Sequence, residues 1–280
     1  MGGRRAAAIG AVAALVAVAL PSPASAGIKY VSASAQLDPG QTAGITAPFC
    51  GSNKHHLLSG GSFISVGSAV TNASYPIDGS DGGEAPDDAW FIYMTNNTVI
   101  EATMSAYAIC TTKAVRYSED ESPFTNAVRS FERCPKGSSA TGVGENPHGG
   151  GSFVETWAPY DFITGSPHRT SAVVQGTGVE NTFDETAICV GNMRLDYERD
   201  KLRIKPSNSA DAFVRCPRGS QVVGGGATQP KAAWDLATTI SIPSDTAQDA
   251  DAKPDNSWRV SISNPSAKKR VVPVVAVCAK

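Results

Sequence analysis

The chain has 280 residues, with 24 Lys plus Arg against 26 Asp plus Glu and a net charge near −2. This mildly acidic balance excludes the basic face that a nucleic-acid partner requires. Aromatic residues at 7%, charged residues at 18% and 27 glycines describe a small-residue β protein more than a helical one, and no stretch beyond about ten residues sustains a helical apolar period.

Residues 1–26 read as an export signal. Arg4 and Arg5 form a short cationic start, Ala6 to Leu20 an apolar run, and Ala24-Ser25-Ala26 a cleavage site. The run is too short for a spanning helix and is followed by Pro21 and Pro23, so no stable membrane insertion is expected. General secretory export is the first expectation and twin-arginine export the alternative. Removing this segment leaves 254 residues, 27–280, with a net charge of about −4. They are expected to form one β domain released outside the cell.

That domain reads as three units, at 47–110, 131–189 and 213–278, joined by segments 111–130 and 190–212. Each unit opens and closes with a cysteine: Cys50 and Cys110, Cys134 and Cys189, Cys216 and Cys278. The separations are 60, 55 and 62 residues. About ten residues after each opening cysteine comes a glycine-rich strand end, at Gly60-Gly61, Gly142-Val143-Gly144 and Gly224 to Gly226. A Pro-x-Asp corner follows 25 to 27 residues after the cysteine, at Pro76-Ile77-Asp78, Pro159-Tyr160-Asp161 and Pro243-Ser244-Asp245. Twenty residues before each closing cysteine stand Trp90, Arg169 and Trp258, on a strand that ends at Asn96, Gln175 or Asn264.

Each unit therefore predicts about four short strands. Trp258, Val260 and Ile262 alternate with Arg259, Ser261 and Ser263, the period-2 mark of a half-buried strand. One such sheet cannot bury its apolar face alone, so the expected fold is all-β, with antiparallel sheets in a pseudo-threefold, prism-like arrangement or three modules in close contact. The joining segments are charged, but Ala114 to Tyr117 and Lys201 to Ile204 also alternate, which predicts solvent-exposed strands there. Six cysteines in an exported chain read as disulfides. Pairing within each unit is expected, and a cyclic pattern between neighbouring units is the alternative.

The Cys-Pro-x-Gly opening, the Gly-Gly-Gly strand end, the Trp-x-Val strand with its terminal Asn and the Ala-x-Cys close resemble repeat units of secreted actinobacterial proteins. The resemblance spans residues 47–278, with Arg169 and Gly142-Val143-Gly144 departing from it. It implies fold and export and no particular activity.

The sequence has no nucleophile elbow, zinc-helix motif, phosphate loop or dinucleotide fingerprint. No cofactor is expected. His55, His56, His148 and His168 occupy no equivalent positions. The loop with Asp78, Asp81 and Glu84 offers oxygen ligands but lacks the spacing of a calcium loop, so calcium is a minor expectation. Tyr75, Trp157 and Tyr160 sit at the Pro-x-Asp corners, where an exposed ring beside polar groups suits a sugar. The first functional expectation is thus a non-catalytic secreted protein that binds polysaccharide or cell-envelope material. A protein-interaction or protease-inhibitor module and a hydrolase with dispersed catalytic residues are the alternatives.

Overall fold

The computed structural model describes residues 27–51, 55–67, 69–79, 85–124, 127–148, 153–176, 181–228, 236–246 and 253–280. These residues form strands and no helix. The first part of the chain supplies β1 (Lys29–Leu37), β2 (Thr42–Thr46), β3 (His56–Ile64), β4 (Val70–Ile77), β5 (Ala89–Thr95) and β6 (Ala102–Thr111). The middle part supplies β7 (Val115–Phe124), β8 (Ala127–Ser130), β9 (Ser139–His148), β10 (Phe153–Ala158), β11 (Ser171–Gln175) and β12 (Asn181–Val190). The last part supplies β13 (Leu195–Ile204), β14 (Asn208–Arg215), β15 (Gln221–Ala227), β16 (Ala237–Ser244), β17 (Ser257–Asn264) and β18 (Arg270–Ala279). Four strands fall in each unit, β3 to β6, β9 to β12 and β15 to β18, and two more precede each four, from residues 29–46 and from the two joining segments.

Three six-stranded antiparallel sheets result, in the orders β1-β6-β3-β16-β17-β14, β13-β18-β15-β10-β11-β8 and β2-β5-β4-β9-β12-β7. Every sheet combines three strands from one part of the chain with three from another. The halves meet at short seams: Ser62 and Phe63 against Ser241 and Ile240, Ala227 against Trp157, and Ser74 against Glu145. The disulfides join Cys50 to Cys110, Cys134 to Cys189 and Cys216 to Cys278, with Cα atoms 5.5 to 5.6 Å apart. Pairing is therefore within each unit, and each closed loop contributes roughly 4 kcal/mol in the chain-entropy account.

The strands that carry the glycine runs, β3, β9 and β15, converge. Each has a bulge, at Leu58, Thr141 and Val223, and all three bulged residues are fully buried. Their backbones come close enough for a side-chain hydroxyl of one strand to reach a carbonyl of the next. Thr141 Oγ1 donates to the Leu58 carbonyl and Ser59 Oγ to the Val223 carbonyl, each at 2.7 Å. A methyl group built on Gly224 would lie 1.7 Å from the Thr141 carbonyl oxygen. Only glycine admits that approach.

Three tyrosines lock this centre. Tyr30 on β1 donates its hydroxyl to the Val222 carbonyl at 2.7 Å, and Tyr117 on β7 to the Leu57 carbonyl at 2.6 Å. Tyr197 on β13 donates to the Ala140 carbonyl at 2.6 Å. Each acceptor immediately precedes a bulge, and each tyrosine comes from a different part of the chain than its acceptor. Burial raises the pKa of all three phenols, so they remain neutral donors.

The tryptophans seat against the same strands. Trp90 and Trp258 are fully buried and donate Nε1–H to Ser74 Oγ and Ser241 Oγ at 2.9 and 3.0 Å. Their rings cover Gly60 and Gly225, where a methyl group would come within 2.0 and 2.3 Å of ring atoms. In the middle part both members of this pair change together. Val143 stands two residues after its bulge as Gly60 and Gly225 do, Arg169 takes the tryptophan position, and the indole comes from Trp157 on β10, which packs on Val143.

The two turns that follow the tryptophan strands are closed by asparagine. Asn96 Nδ2 donates to the carbonyls of Leu37 and Ile100, and Asn264 Nδ2 to those of Lys205 and Lys268.

Replacing Tyr117 or Tyr30 by Phe strands a buried carbonyl and is expected to cost about 1–3 kcal/mol in urea unfolding. Gly224→Ala, which must displace backbone, is expected at the upper end of the overpacking range, about 3 kcal/mol. Gly67→Ala, with only the Ser209 hydroxyl near at 3.8 Å, serves as the control and should stay within about 0.5 kcal/mol.

Candidate functional site

The corner aromatics have separate fates. Trp157 is 2% exposed and Tyr160 5%. Trp157 packs with Val143, Val154 and Ala172, while Tyr160 packs with Ala158 and Val275 and accepts a 2.8 Å hydrogen bond from Arg199. Neither presents a ring to solvent, so the expected sugar platform at this corner is instead core. The Trp-Ala-Pro-Tyr run is apolar on both phases, so alternation could not place it. Tyr75 alone of the three is half-exposed.

Tyr75 belongs to a row of rings. It lies directly opposite Phe91 across β4 and β5, with ring centroids 5.4 Å apart, and Phe91 stacks on Tyr93 at 6.5 Å with planes inclined by 16°. Tyr93 is 40% exposed. Gly44 on the neighbouring β2 lies opposite Tyr93, and a methyl group there would fall 2.4 Å from the Phe91 ring; the glycine lets the rings lie over the edge strand. Beyond Tyr93 the row continues in polar groups. Thr42 Oγ1 and Thr95 Oγ1 share a 2.8 Å hydrogen bond, and Thr95 Oγ1 also lies 2.8 Å from Asn72 Oδ1. At its other end Tyr75 lines an open groove of about 520 Å³ together with Asp78, Asn146 and Asp184.

Sequence reasoning missed Phe91 and Tyr93. Their strand, Ala-Trp-Phe-Ile-Tyr-Met-Thr, is apolar on both faces; Trp90, Ile92 and Met94 are fully buried, which turns Phe91 and Tyr93 outward. The available signal was comparative: the matching strand β17 has Arg259 and Ser261 at those positions.

Among the described residues the remaining candidates do not assemble a reaction centre. Asp78 is exposed, while Asp81 and Glu84 lie outside the described residues. Among the described residues no group of three or more metal-ligating side chains comes together. His56 pairs with Asp87 and His148 with Asp184, both at 2.7 Å. His168 Nδ1 lies 2.5 Å from the Ser138 carbonyl oxygen and 3.4 Å from Ser139 Oγ. That nitrogen must carry a proton to donate to the carbonyl, which leaves it no lone pair for the serine hydroxyl.

One pair of carboxyls does face across strands. Glu145 on β9 opposes Glu185 on β12, and the two are 0% and 2% exposed. Glu185 accepts hydrogen bonds from the Ser130 and Thr170 hydroxyls and from the Glu132 N–H. Neither Glu145 oxygen has a hydrogen-bond partner among the described residues. Burial, reinforced by the Glu185 and Asp184 carboxylates, holds Glu145 well above the usual carboxylate range. Burial likewise pushes Glu185 up to about 7, against the hydrogen bonds it accepts from Ser130 and Thr170. A hydrolase presents such a pair in an open cleft; this one is sealed at the Ser74–Glu145 seam.

No protein-family model matches the chain, and no characterised protein sequence matches it. Among solved structures, a chain from work titled "The Triple Jelly Roll Fold and Turret Assembly in an Archaeal Virus" aligns over 95% of this chain and 89% of its own, with 11% identity and a TM-score of 0.21. A chain from the atomic structure of Sulfolobus Turreted Icosahedral Virus aligns over 96% and 90%, with 11% identity and a TM-score of 0.19. Scores this low carry no weight on fold or role.

The buried pair predicts a direction for stability against pH. The unfolded chain ionises these carboxyls near their ordinary pKa, while the folded protein keeps them protonated to higher pH. Stability is therefore complete below about pH 4.5 and falls as pH rises through about 7, by on the order of 3 kcal/mol for Glu185. Glu145→Gln is expected to flatten that fall and to raise the melting temperature at pH 8 by about 5 °C, read by calorimetry from pH 4 to pH 9.

Proposed function

We propose that the protein is an exported, non-catalytic binding protein that recognises polysaccharide or cell-envelope material through the Tyr75–Phe91–Tyr93 face. The observation that carries this reading is the outward row of three rings flanked by hydroxyl and amide groups. Sugar rings offer an apolar face that stacks on aromatics and a rim of hydroxyls that needs polar partners. Three disulfides and no free cysteine suit an oxidising extracellular setting and the export signal read at residues 1–26.

The architecture belongs to the same proposal. We read the domain as three repeats around a pseudo-threefold axis, a β-prism of the secreted actinobacterial type its motifs resemble. Support comes from the three bulges, the three tyrosine bridges and the cyclic exchange of three-stranded halves. The binding face does not follow that symmetry. Where β4 and β5 carry Tyr75, Phe91 and Tyr93, the matching positions carry Ile242, Arg259 and Ser261 on β16 and β17, and Ala158, Thr170 and Ala172 in the middle part. One binding face per molecule is the consequence, and avidity from three like faces forms no part of the reading.

Tyr93→Ala removes a ring with little role in the core and Tyr75→Ala one at the groove. Each is expected to weaken retention on insoluble polysaccharide or isolated cell wall about tenfold, measured as depletion isotherms, with melting temperature unchanged within about 2 °C. Unchanged retention in both variants would reject the face.

A further inference from the structure

The groove beside Tyr75 has a charge that ring stacking and hydroxyl contacts leave unused. Asp78, Glu119, Asp120, Glu121 and Asp184 all line it, and among the described residues no lysine or arginine does. Glu119 and Glu121 stand on the edge strand β7, directly across from Thr186 and Asp184 on β12, and all but Asp184 are exposed. Asp184 is held by His148 at 2.7 Å and by Asn146 at 3.4 Å. Among the described residues no basic side chain pairs with Asp78, Glu119 or Glu121.

Resting on the binding face proposed above, we propose that its ligand is a glycan carrying free amino groups, a cationic amino-sugar polymer. The aromatic face is the site and the groove's charge decides its occupant. Sugar rings lie along Tyr93, Phe91 and Tyr75, and protonated amines of the same chain enter the groove. There they meet unneutralised carboxylates and the face of Tyr75, which attracts a cation through its ring quadrupole. The Tyr75 hydroxyl, its pKa raised by burial and then by Asp184, stays neutral and donates to a sugar oxygen. A basic peptide would satisfy the charge. It would leave idle the hydroxyl and amide run of Thr42, Thr95 and Asn72 at the far end of the row, so the glycan is favoured.

Four soluble probes decide the matter by calorimetry on the full folded chain: glucosamine oligomers, N-acetylglucosamine oligomers, neutral glucose oligomers of the same length, and a lysine oligomer. The expected result is binding of the glucosamine oligomer at least tenfold tighter than either uncharged glycan. That binding should weaken about tenfold as salt rises from about 20 to about 200 mM, as solvent-exposed ion pairing requires. The double variant Glu119→Gln, Glu121→Gln should lose most of this preference while keeping the weak binding of uncharged glycan, because both side chains are exposed on an edge strand. Equal, salt-independent binding of all three glycans would overturn the charge preference and leave the binding face standing. Binding of the lysine oligomer alone, or of none of the four, would overturn both.

Discussion

Three tyrosine hydroxyls hold this molecule's parts in place. A bulge breaks the ladder of a strand and disturbs the hydrogen bonding of the backbone next to it, and burying an unpaired carbonyl costs about as much as a lost hydrogen bond. Tyr30, Tyr117 and Tyr197 each bring a donor to the carbonyl beside one bulge. In doing so each ties the first strand of one part of the chain to the glycine-rich strand of another. The glycines have a matching role, since Gly224 lets the Thr141 backbone approach where any side chain would collide. Packing, disulfides and sheet seams are arranged around that contact.

The middle part shows what such a centre tolerates. Losing the tryptophan at Arg169 is offset by Val143 and by an indole supplied from β10, so volume is conserved while its source changes strand. The seam is less well compensated. Where the other two seams carry Ser62 and Ala227, this one carries Glu145, a carboxyl with no hydrogen-bond partner among the described residues, beside a second buried acid. Keeping such a pair buried is favourable only with protons on it, which makes one seam of three sensitive to pH. The outward rings of Tyr75, Phe91 and Tyr93 lie on the same sheet, turned to solvent.

Much of this was legible in the residues. Cysteine spacing gave the disulfide partners, and the glycine runs marked the convergent strands. Asn96 and Asn264 marked the turns they close. What stayed hidden had physical causes. The strands β7 and β13 are rich in charge because they lie at sheet edges, where charge blocks unwanted pairing; alternation marked parts of them as exposed strands, but not that Tyr117 and Tyr197 turn inward to bond a carbonyl of another part. Exchange of half-sheets between parts of the chain is a long-range pairing that no local pattern encodes. Trp157 and Tyr160 resembled a ligand platform because a corner rich in aromatics, proline and aspartate looks alike whether its rings face water or the core. Phe91 and Tyr93 escaped because a strand apolar on both sides gives no phase.

Interlocking of the three parts through that centre is the claim on which everything else rests, and native-state hydrogen exchange with the disulfides intact tests it most directly. If the tyrosine bridges and glycine approaches make one cooperative unit, the amides of β3, β9 and β15 exchange last and together, with the free energy of global unfolding. Exchange of any one of these strands at a distinctly lower free energy than the other two would mean that the parts open independently, and would contradict the account.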